Sequence, residues 1–146
     1  MILVDANLLI YAVDSQSPYH EKSRTWWDLQ LSGISPLALS WPTLHAFLRI
    51  TTNPRLSPAY LSLADALKII DSWLAQPCVQ LLQPTSAHRQ IFTSLLIETQ
   101  ATGNLIADAA LAALAIEHGC ELYSADGDFA RFPGLRWRNP LLKHTK

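Results

Sequence analysis

Between Leu105 and Ile116 the chain carries a single charged side chain, Asp108, among eleven aliphatic residues. Gly103-Asn104 breaks the chain just before this segment and Gly119 stands just after it. That pattern predicts a helix over 105–118, with Asn104 as its cap and Gly119 in the C′ position. A helix that is apolar nearly all round must be covered on most of its faces. It therefore belongs inside a layered fold.

The rest of the sequence supplies the covering layers. Met1 to Val4 is a short apolar run ending at Asp5, as in a strand buried on both faces of a parallel sheet. Leu37 to Ser40, Val79 to Leu82, Glu121 to Ser124 and Leu135 to Arg138 read as further strands, the last at an edge. Residues 6–13 read as a short helix. Ser17-Pro18 opens the next, which carries Trp26 and Trp27 and ends near Gly33. Pro42 opens a helix with Leu44, Phe47, Leu48 and Thr51 on one face, and Asn53-Pro54 ends it. Ser57-Pro58 opens another, with Leu63, Leu67, Ile70 and Leu74 as its stripe; Phe92, Leu95, Leu96 and Thr99 mark the one after. Asp126-Gly127 is a turn, and Phe129 to Phe132 a helical turn. The alternation of strands and helices predicts an α/β sandwich with a mainly parallel sheet of four to five strands. Functional groups in such sheets gather outside the carboxyl ends of the strands.

With 146 residues, a single domain over 1–146 is expected, burying roughly 68% of the extended chain's surface. Hydrophobic residues make up 49% and charged residues 16%, which excludes intrinsic disorder. Cys78 and Cys120 are too few for a disulfide scaffold and lack C-x-x-C spacing, so they read as reduced thiols of a cytoplasmic protein. No stretch is long and apolar enough to span a bilayer. The N-terminus lacks the basic region of a signal peptide, and Asp5 interrupts its apolar run. A net charge of −1 excludes a global basic field. After Asp128, however, no acid follows, whereas Arg131, Arg136, Arg138, Lys143 and Lys146 do. This segment is either a solvated tail or a rim that contacts phosphate.

Three aspartates carry the chemistry. Asp5 ends the first strand, Asp126 follows the fourth, and Asp108 sits on the apolar helix. Each has an ordinary structural use as well. Asp5 can cap the helix that begins at Ala6, Asp108 can complement a helix dipole, and Asp126 in Asp-Gly is turn chemistry. Taken together they say more. Clustered carboxylates cannot all ionise without compensation, and no Lys or Arg lies beside these three in sequence. A divalent cation such as Mg²⁺ or Mn²⁺, which prefers a few carboxylates plus water and phosphate oxygens, supplies the missing charge. Such an ion activates water and stabilises the charge that develops on a phosphodiester.

Four fragments then carry a resemblance. They are Ile2-Leu3-Val4-Asp5-Ala6-Asn7-Leu8-Leu9-Ile10-Tyr11-Ala12, Phe47-Leu48-Arg49-Ile50-Thr51-Thr52-Asn53-Pro54, Asn104-Leu105-Ile106-Ala107-Asp108-Ala109 and Leu122-Tyr123-Ser124-Ala125-Asp126-Gly127-Asp128-Phe129. In this order and spacing the chain resembles the PIN-domain ribonucleases, specifically the VapC-type toxins of toxin–antitoxin pairs, over essentially its whole length. The resemblance implies a PIN-like three-layer α/β/α fold and a pocket of three or four acidic residues. It implies Mg²⁺- or Mn²⁺-dependent cleavage of RNA to 5′-phosphate and 3′-hydroxyl ends. It also implies a homodimer and inhibition by a VapB-type antitoxin. Asp5, Asp108 and Asp126 match acidic positions that hold the metal. Asn7 matches a small polar position beside the first aspartate, Ser124 a hydroxyl that hydrogen-bonds within the cluster, and Asp128 a more peripheral acid.

One position departs from the pattern. Where many members place a glutamate, Thr43-Leu44-His45-Ala46-Phe47-Leu48-Arg49 has Ala46. His45 or Arg49 is expected to line the vacated place. Arg49, His45 and Arg131 are the expected contacts to the RNA backbone or to the antitoxin. The missing acid also motivates a second reading, a PIN-fold module with little or no catalysis that acts by binding RNA or a protein. A phosphotransfer site of the haloacid-dehalogenase type is disfavoured, because Asp5-Ala6-Asn7 lacks the second acid.

Overall fold

In the computed structural model, which describes residues 1–142, five strands form one parallel sheet in the order β3-β2-β1-β4-β5. The strands are β1 (Ile2–Val4), β2 (Leu37–Leu39), β3 (Val79–Leu81), β4 (Glu121–Tyr123) and β5 (Trp137–Arg138). Six α-helices connect them: α1 (Ala6–Val13), α2 (His20–Ser32), α3 (Trp41–Thr51), α4 (Leu63–Leu74), α5 (His88–Thr99) and α6 (Asn104–Glu117). A 3₁₀ turn spans Gly127–Arg131. The expected α/β sandwich is present, and its sheet is parallel throughout.

The pleat divides the core in two. Leu3, Ala38 and Leu122 face α5 and α6, packing with Leu95, Ala112, Ala113 and Phe129. Val4, Leu37 and Leu39 face the other way, into Leu8, Leu9, Trp27, Phe47, Ile70 and Trp73 from α1 to α4. Neighbouring strand residues thus point to opposite layers, and both layers are apolar, as a sheet covered on both faces requires. On α6 the inward face is built of Ala109, Ala112, Ala113 and Ala115, all fully buried. These small side chains let the helix lie close against the sheet, and a larger residue there would overpack the layer. Gly119 (φ +66°) ends α6 as expected. Its N–H donates to the Ile116 carbonyl and the Cys120 N–H to that of Ala115, the paired bonds of a Schellman turn.

Three helix starts and one buried stripe differ from expectation. Ser17 does not cap α2. Its hydroxyl accepts from the Tyr19 N–H and its carbonyl from the His20 N–H, so Ser17-Pro18 forms a turn and the helix starts at His20. Ser57-Pro58 likewise precedes a loop, which Leu61 ties back by donating to the Thr51 carbonyl. The helix then starts at Leu63, with Ser62 accepting from Asp65 N–H. The buried face of α4 is consequently Ala66, Ile70 and Trp73, whereas Leu63 and Leu67 are 60% and 43% exposed. Trp73 sets this rotation, because its ring packs edge-on against both Trp27 and Phe47. Finally, Gly103 (φ +58°) takes the cap position of α6, and Asn104 is the first helical residue. Among the described residues, no helix is long and apolar enough to cross a membrane.

Candidate active site

The strand order reverses at β1, which has β2 on one side and β4 on the other. The crevice at the carboxyl ends of β1 and β4 is therefore the topological switch point where α/β sheets hold ligands. Asp5 and Ser124 are the first residues past those two ends. The paired register, Val4 opposite Tyr123, brings them side by side.

Ser124 is the hub. Its buried hydroxyl donates to Asp5 Oδ2 at 2.7 Å. It accepts from Asn7 Nδ2 at 3.1 Å and from the Asp126 N–H at 3.0 Å. One donor and two acceptor sites exhaust what a hydroxyl offers. Asn7 completes the link between α1 and the β4 end, its Oδ1 accepting from the Ala125 N–H. Trp137 Nε1 on β5 donates to the Ser124 carbonyl. The structural uses foreseen for two of the aspartates hold at the same time. Asp5 Oδ1 caps α1 by accepting from the Ala6 N–H, and Asp126 Oδ1 caps the 3₁₀ turn by accepting from the Asp128 N–H.

Carboxylate oxygens of Asp108, Asp126 and Asp128 lie within 4.8 Å of one another. Asp5 stands beside this group and is joined to it through Ser124. Asp128, expected at the periphery, is part of the tight group, although it is exposed. The local field shows in the acids themselves. Burial first, then Asp126, Asp5 and Asp128, push the Asp108 carboxyl up to about 6. Burial also raises Asp5; hydrogen bonds from Ser124 and Ala6 oppose the rise and Asp126 adds to it. Oxygen-only donors with surplus negative charge suit a hard divalent cation and exclude a soft thiolate-type site. The residues present therefore fit Mg²⁺ or Mn²⁺.

Ala46 lines the same cavity as Asp5 and Asp108. His45 and Arg49 do not: both are exposed on α3, and His45 packs beside Trp41. The place of the usual glutamate is therefore filled by neither of them. His45 is turned about 100° round α3 from Ala46, and Arg49, one turn beyond Ala46 on the neighbouring row, is exposed outside the cavity. In the basic segment, Arg136 donates to the Gly119 carbonyl and Arg138 pairs with Glu121, so both serve the fold. Arg131 is exposed on the 3₁₀ turn. Lys143 and Lys146 lie outside the described residues.

Tyr11 belongs to the surroundings of the site and escapes a reading for acids. Burial, Tyr19 and then the charges of Asp126 and Asp5 push its phenol up. Its signal was the spacing from Asn7, one turn earlier on the same face of α1.

Comparison with known proteins agrees with this architecture. Residues 2–135 match the PIN domain family. Ribonuclease VapC33 of Mycobacterium tuberculosis (strain CDC 1551 / Oshkosh) is 41% identical over 141 residues, covering 97% of this chain and 99% of the relative. Ribonuclease VapC37 of M. tuberculosis (strain ATCC 25618 / H37Rv) is 41% identical over 140 residues, covering 96% and 97%. Among solved structures, VapBC2 from Rickettsia felis bound to a promoter DNA fragment superposes with a TM-score of 0.70 at 17% identity, covering 95% of this chain and 98% of that one. M. tuberculosis VapC20, a sarcin-ricin loop cleaving toxin, gives 0.66 at 19% identity, covering 93% and 99%. At such identities these two likenesses speak for the fold. With the family match over nearly the whole sequence, and relatives so similar along their full length, this chain belongs to the PIN domain family.

Proposed function

We propose that this protein is a cytoplasmic, single-domain endoribonuclease toxin that depends on Mg²⁺ or Mn²⁺ and is neutralised by a VapB-type antitoxin. The observation that carries the reading is the cluster of Asp108, Asp126 and Asp128, with Asp5 bound to it through Ser124 at the switch point of the sheet. The similarity to proteins named ribonuclease supports the substrate class.

In this reading Asp5, Asp108 and Asp126 hold the cation, with Asp128 at the outer edge. When bound, the cation supplies a lowered pKa for water and stabilisation of the charge that develops on the phosphodiester. The chain does the remaining work. Ser124 and Asn7 fix the carboxylate of Asp5 and the turn that carries Asp126, so the ligands are arranged before RNA arrives. Arg131 and Arg49, both exposed, are suited to phosphates of the RNA backbone, a sequence-independent and salt-sensitive attraction. Leu63 and Leu67, one turn apart on α4 and exposed, offer an apolar strip to a protein partner, either the antitoxin or a second copy in a homodimer.

The reading is tested by incubating the purified protein with total RNA. Cleavage should require Mg²⁺ or Mn²⁺, stop with EDTA and return when the metal is restored. No cleavage with either metal would favour a binding module instead.

Two substitutions probe the arrangement. Ser124→Ala removes the donor to Asp5 and the acceptor for Asn7 and Asp126 N–H. Cation binding should weaken about 10–100-fold, and the fold should lose about 1–3 kcal/mol. Calorimetric titration with Mn²⁺ and a thermal melt read the two effects; unchanged values in both would remove Ser124 from the site. Ala46→Glu should act in the opposite sense, because it adds a carboxylate to the cavity that Asp5 and Asp108 line. Mn²⁺ should bind about tenfold more tightly, as added ligand charge does elsewhere. Equal or weaker binding in the same titration would place residue 46 out of reach of the cation.

A further inference from the structure

Beside the carboxylates lies a cavity of about 280 Å³. Asp5, Asp108 and Ala46 form one side of it; Leu82, Leu111 and Leu114 contribute apolar wall. That is just under the usual range for small-molecule sites, about 300–1,000 Å³, so it takes one ring system rather than a length of chain. Trp41, 42% exposed, also lines it and offers a face on which a planar ring can stack.

One wall is polar and firmly held. His88, at the start of α5, lines the cavity and is hydrogen-bonded through Nδ1 to Glu117 Oε2 at the end of α6. The Glu117 side chain is fully covered, and its other oxygen accepts from the Thr85 N–H at 2.8 Å and the Thr85 hydroxyl at 2.9 Å. Burial pushes the Glu117 carboxyl up, but the bonds from Thr85 and His88 outweigh it and hold it below its ordinary range. An ionised carboxylate only accepts, so Nδ1 carries the proton and Nε2 is left as the ring's other polar atom. Among the described residues Nε2 has no hydrogen-bond partner. The next residue, His118, donates through Nε2 to the Gln83 carbonyl, and Phe92 stacks on the His88 ring. Loop and ring are thus fixed from several sides, although the bonds among the carboxylates do not use them.

We propose that this cavity holds one unstacked nucleobase of the RNA substrate, next to the phosphodiester that is cut, with His88 Nε2 hydrogen-bonding the edge of the base and Glu117 positioning the imidazole. The assignment rests on the ribonuclease reading above. Three observations carry it: the cavity shares Asp5 and Asp108 with the carboxylate site, its size matches one ring system, and the His88 ring, fixed by Glu117, offers one oriented hydrogen-bonding atom, Nε2, in a lining that also holds Leu82, Leu111 and Leu114. An apolar anchor from a protein partner would leave that atom unpaired, at a penalty a base edge avoids. His88 is therefore a specificity residue, and Glu117 a positioning residue.

Two arms test this. In the first, the histidine ring ¹⁵N resonances of the Mg²⁺-loaded protein are followed while AMP, GMP, CMP, UMP, ribose 5-phosphate or indole is added. At least one nucleotide should move the Nε2 resonance of His88, and ribose 5-phosphate should not. Movement with ribose 5-phosphate alone, with indole alone or with nothing overturns the base pocket, the indole result in favour of an apolar peptide side chain. In the second arm, a pool of randomised RNA is cut and the product ends are sequenced. Wild type should show a base preference at one position beside the cut. His88→Gln, which can still donate to Glu117, and Ala110→Leu, which fills the cavity without touching the dyad, should each flatten that preference at least tenfold. Glu117→Gln, which keeps an acceptor beside Nδ1 but loses the charge, should flatten it less. A preference retained in folded His88→Gln and Ala110→Leu overturns the proposal. If wild type leaves the pool uncut, the ribonuclease reading falls, and the resonances of the first arm decide the pocket on their own.

Discussion

Asp5→Asn should lower RNA cleavage by more than about 100-fold, since even a residue that only orients a metal ligand costs about 10–100-fold when removed. The fold should survive. Asn is as good a helix cap as Asp, so the bond to the Ala6 N–H can persist. The amide then turns its NH₂ toward Ser124, whose hydroxyl already accepts from Asn7 and from Asp126 N–H. One hydrogen bond is lost, worth about 1 kcal/mol, while a desolvated charge disappears. Its melting temperature should therefore stay within a few degrees of wild type. Full ribonuclease activity in a cleanly purified Asp5→Asn protein would remove Asp5 from the mechanism.

The second large effect links the cation to stability. Asp108 is half-buried and its carboxyl is pushed up to about 6, whereas in the unfolded chain it titrates near 3.8. A raised acid contributes stability that is fully present below the unfolded value and is lost as pH rises through the folded value. Without metal, the protein should therefore weaken between about pH 4 and pH 7. The shift corresponds to about 3 kcal/mol before solvent screening and about 1 kcal/mol after it. Asp5, raised in the same direction, adds to the trend. Mg²⁺ or Mn²⁺ binds the arranged cluster and not the unfolded chain, so at a hundred times its dissociation constant it should add about 2.7 kcal/mol, roughly 5–11 °C in melting temperature. Asp108→Asn removes one repelling charge. At pH 8 in EDTA it should be at least as stable as wild type, with a smaller gain from metal. If Asp108 only complemented the dipole of α6, Asn would cost about 0.3–1 kcal/mol with or without metal. Melts of both proteins in EDTA and in millimolar Mn²⁺, at pH 4 and pH 8, separate the two; an equal loss in both buffers would exclude Asp108 from the metal site.

Much of this site is legible in the sequence, because its parts sit where local signals are strong. Asp5 and Ser124 end short apolar strands, Asp126 opens a turn, and Asp108 is the lone charge on an apolar helix. What escapes a linear reading is what depends on packing between distant elements. Ser-Pro marks the start of a helix in general, but at Ser17 and Ser57 the serine closes a turn instead. The stripe of α4 is set by where Trp73 meets Trp27 and Phe47, contacts that helical periodicity alone does not contain. Asp128 joins the carboxylate group because the 3₁₀ turn folds it back. The place of Ala46 against Asp5 and Asp108 depends on how α3 and α6 meet the ends of β1 and β4. The His88–Glu117 pair joins the first residue of one helix to the last of another, and neither residue belongs to a motif.

The chemistry of the RNA ends tests the central claim most directly. If the carboxylates hold a divalent cation that activates water, water adds at phosphorus and the 3′ oxygen leaves. A defined oligoribonucleotide cut in Mn²⁺ should then yield only 5′-phosphate and 3′-hydroxyl ends by mass spectrometry, and EDTA should abolish both products. Ends carrying a 2′,3′-cyclic phosphate and a 5′-hydroxyl, or cleavage that persists in EDTA, would contradict it, because the attacking group would then be the substrate's own 2′-hydroxyl and the four aspartates would not be its catalyst.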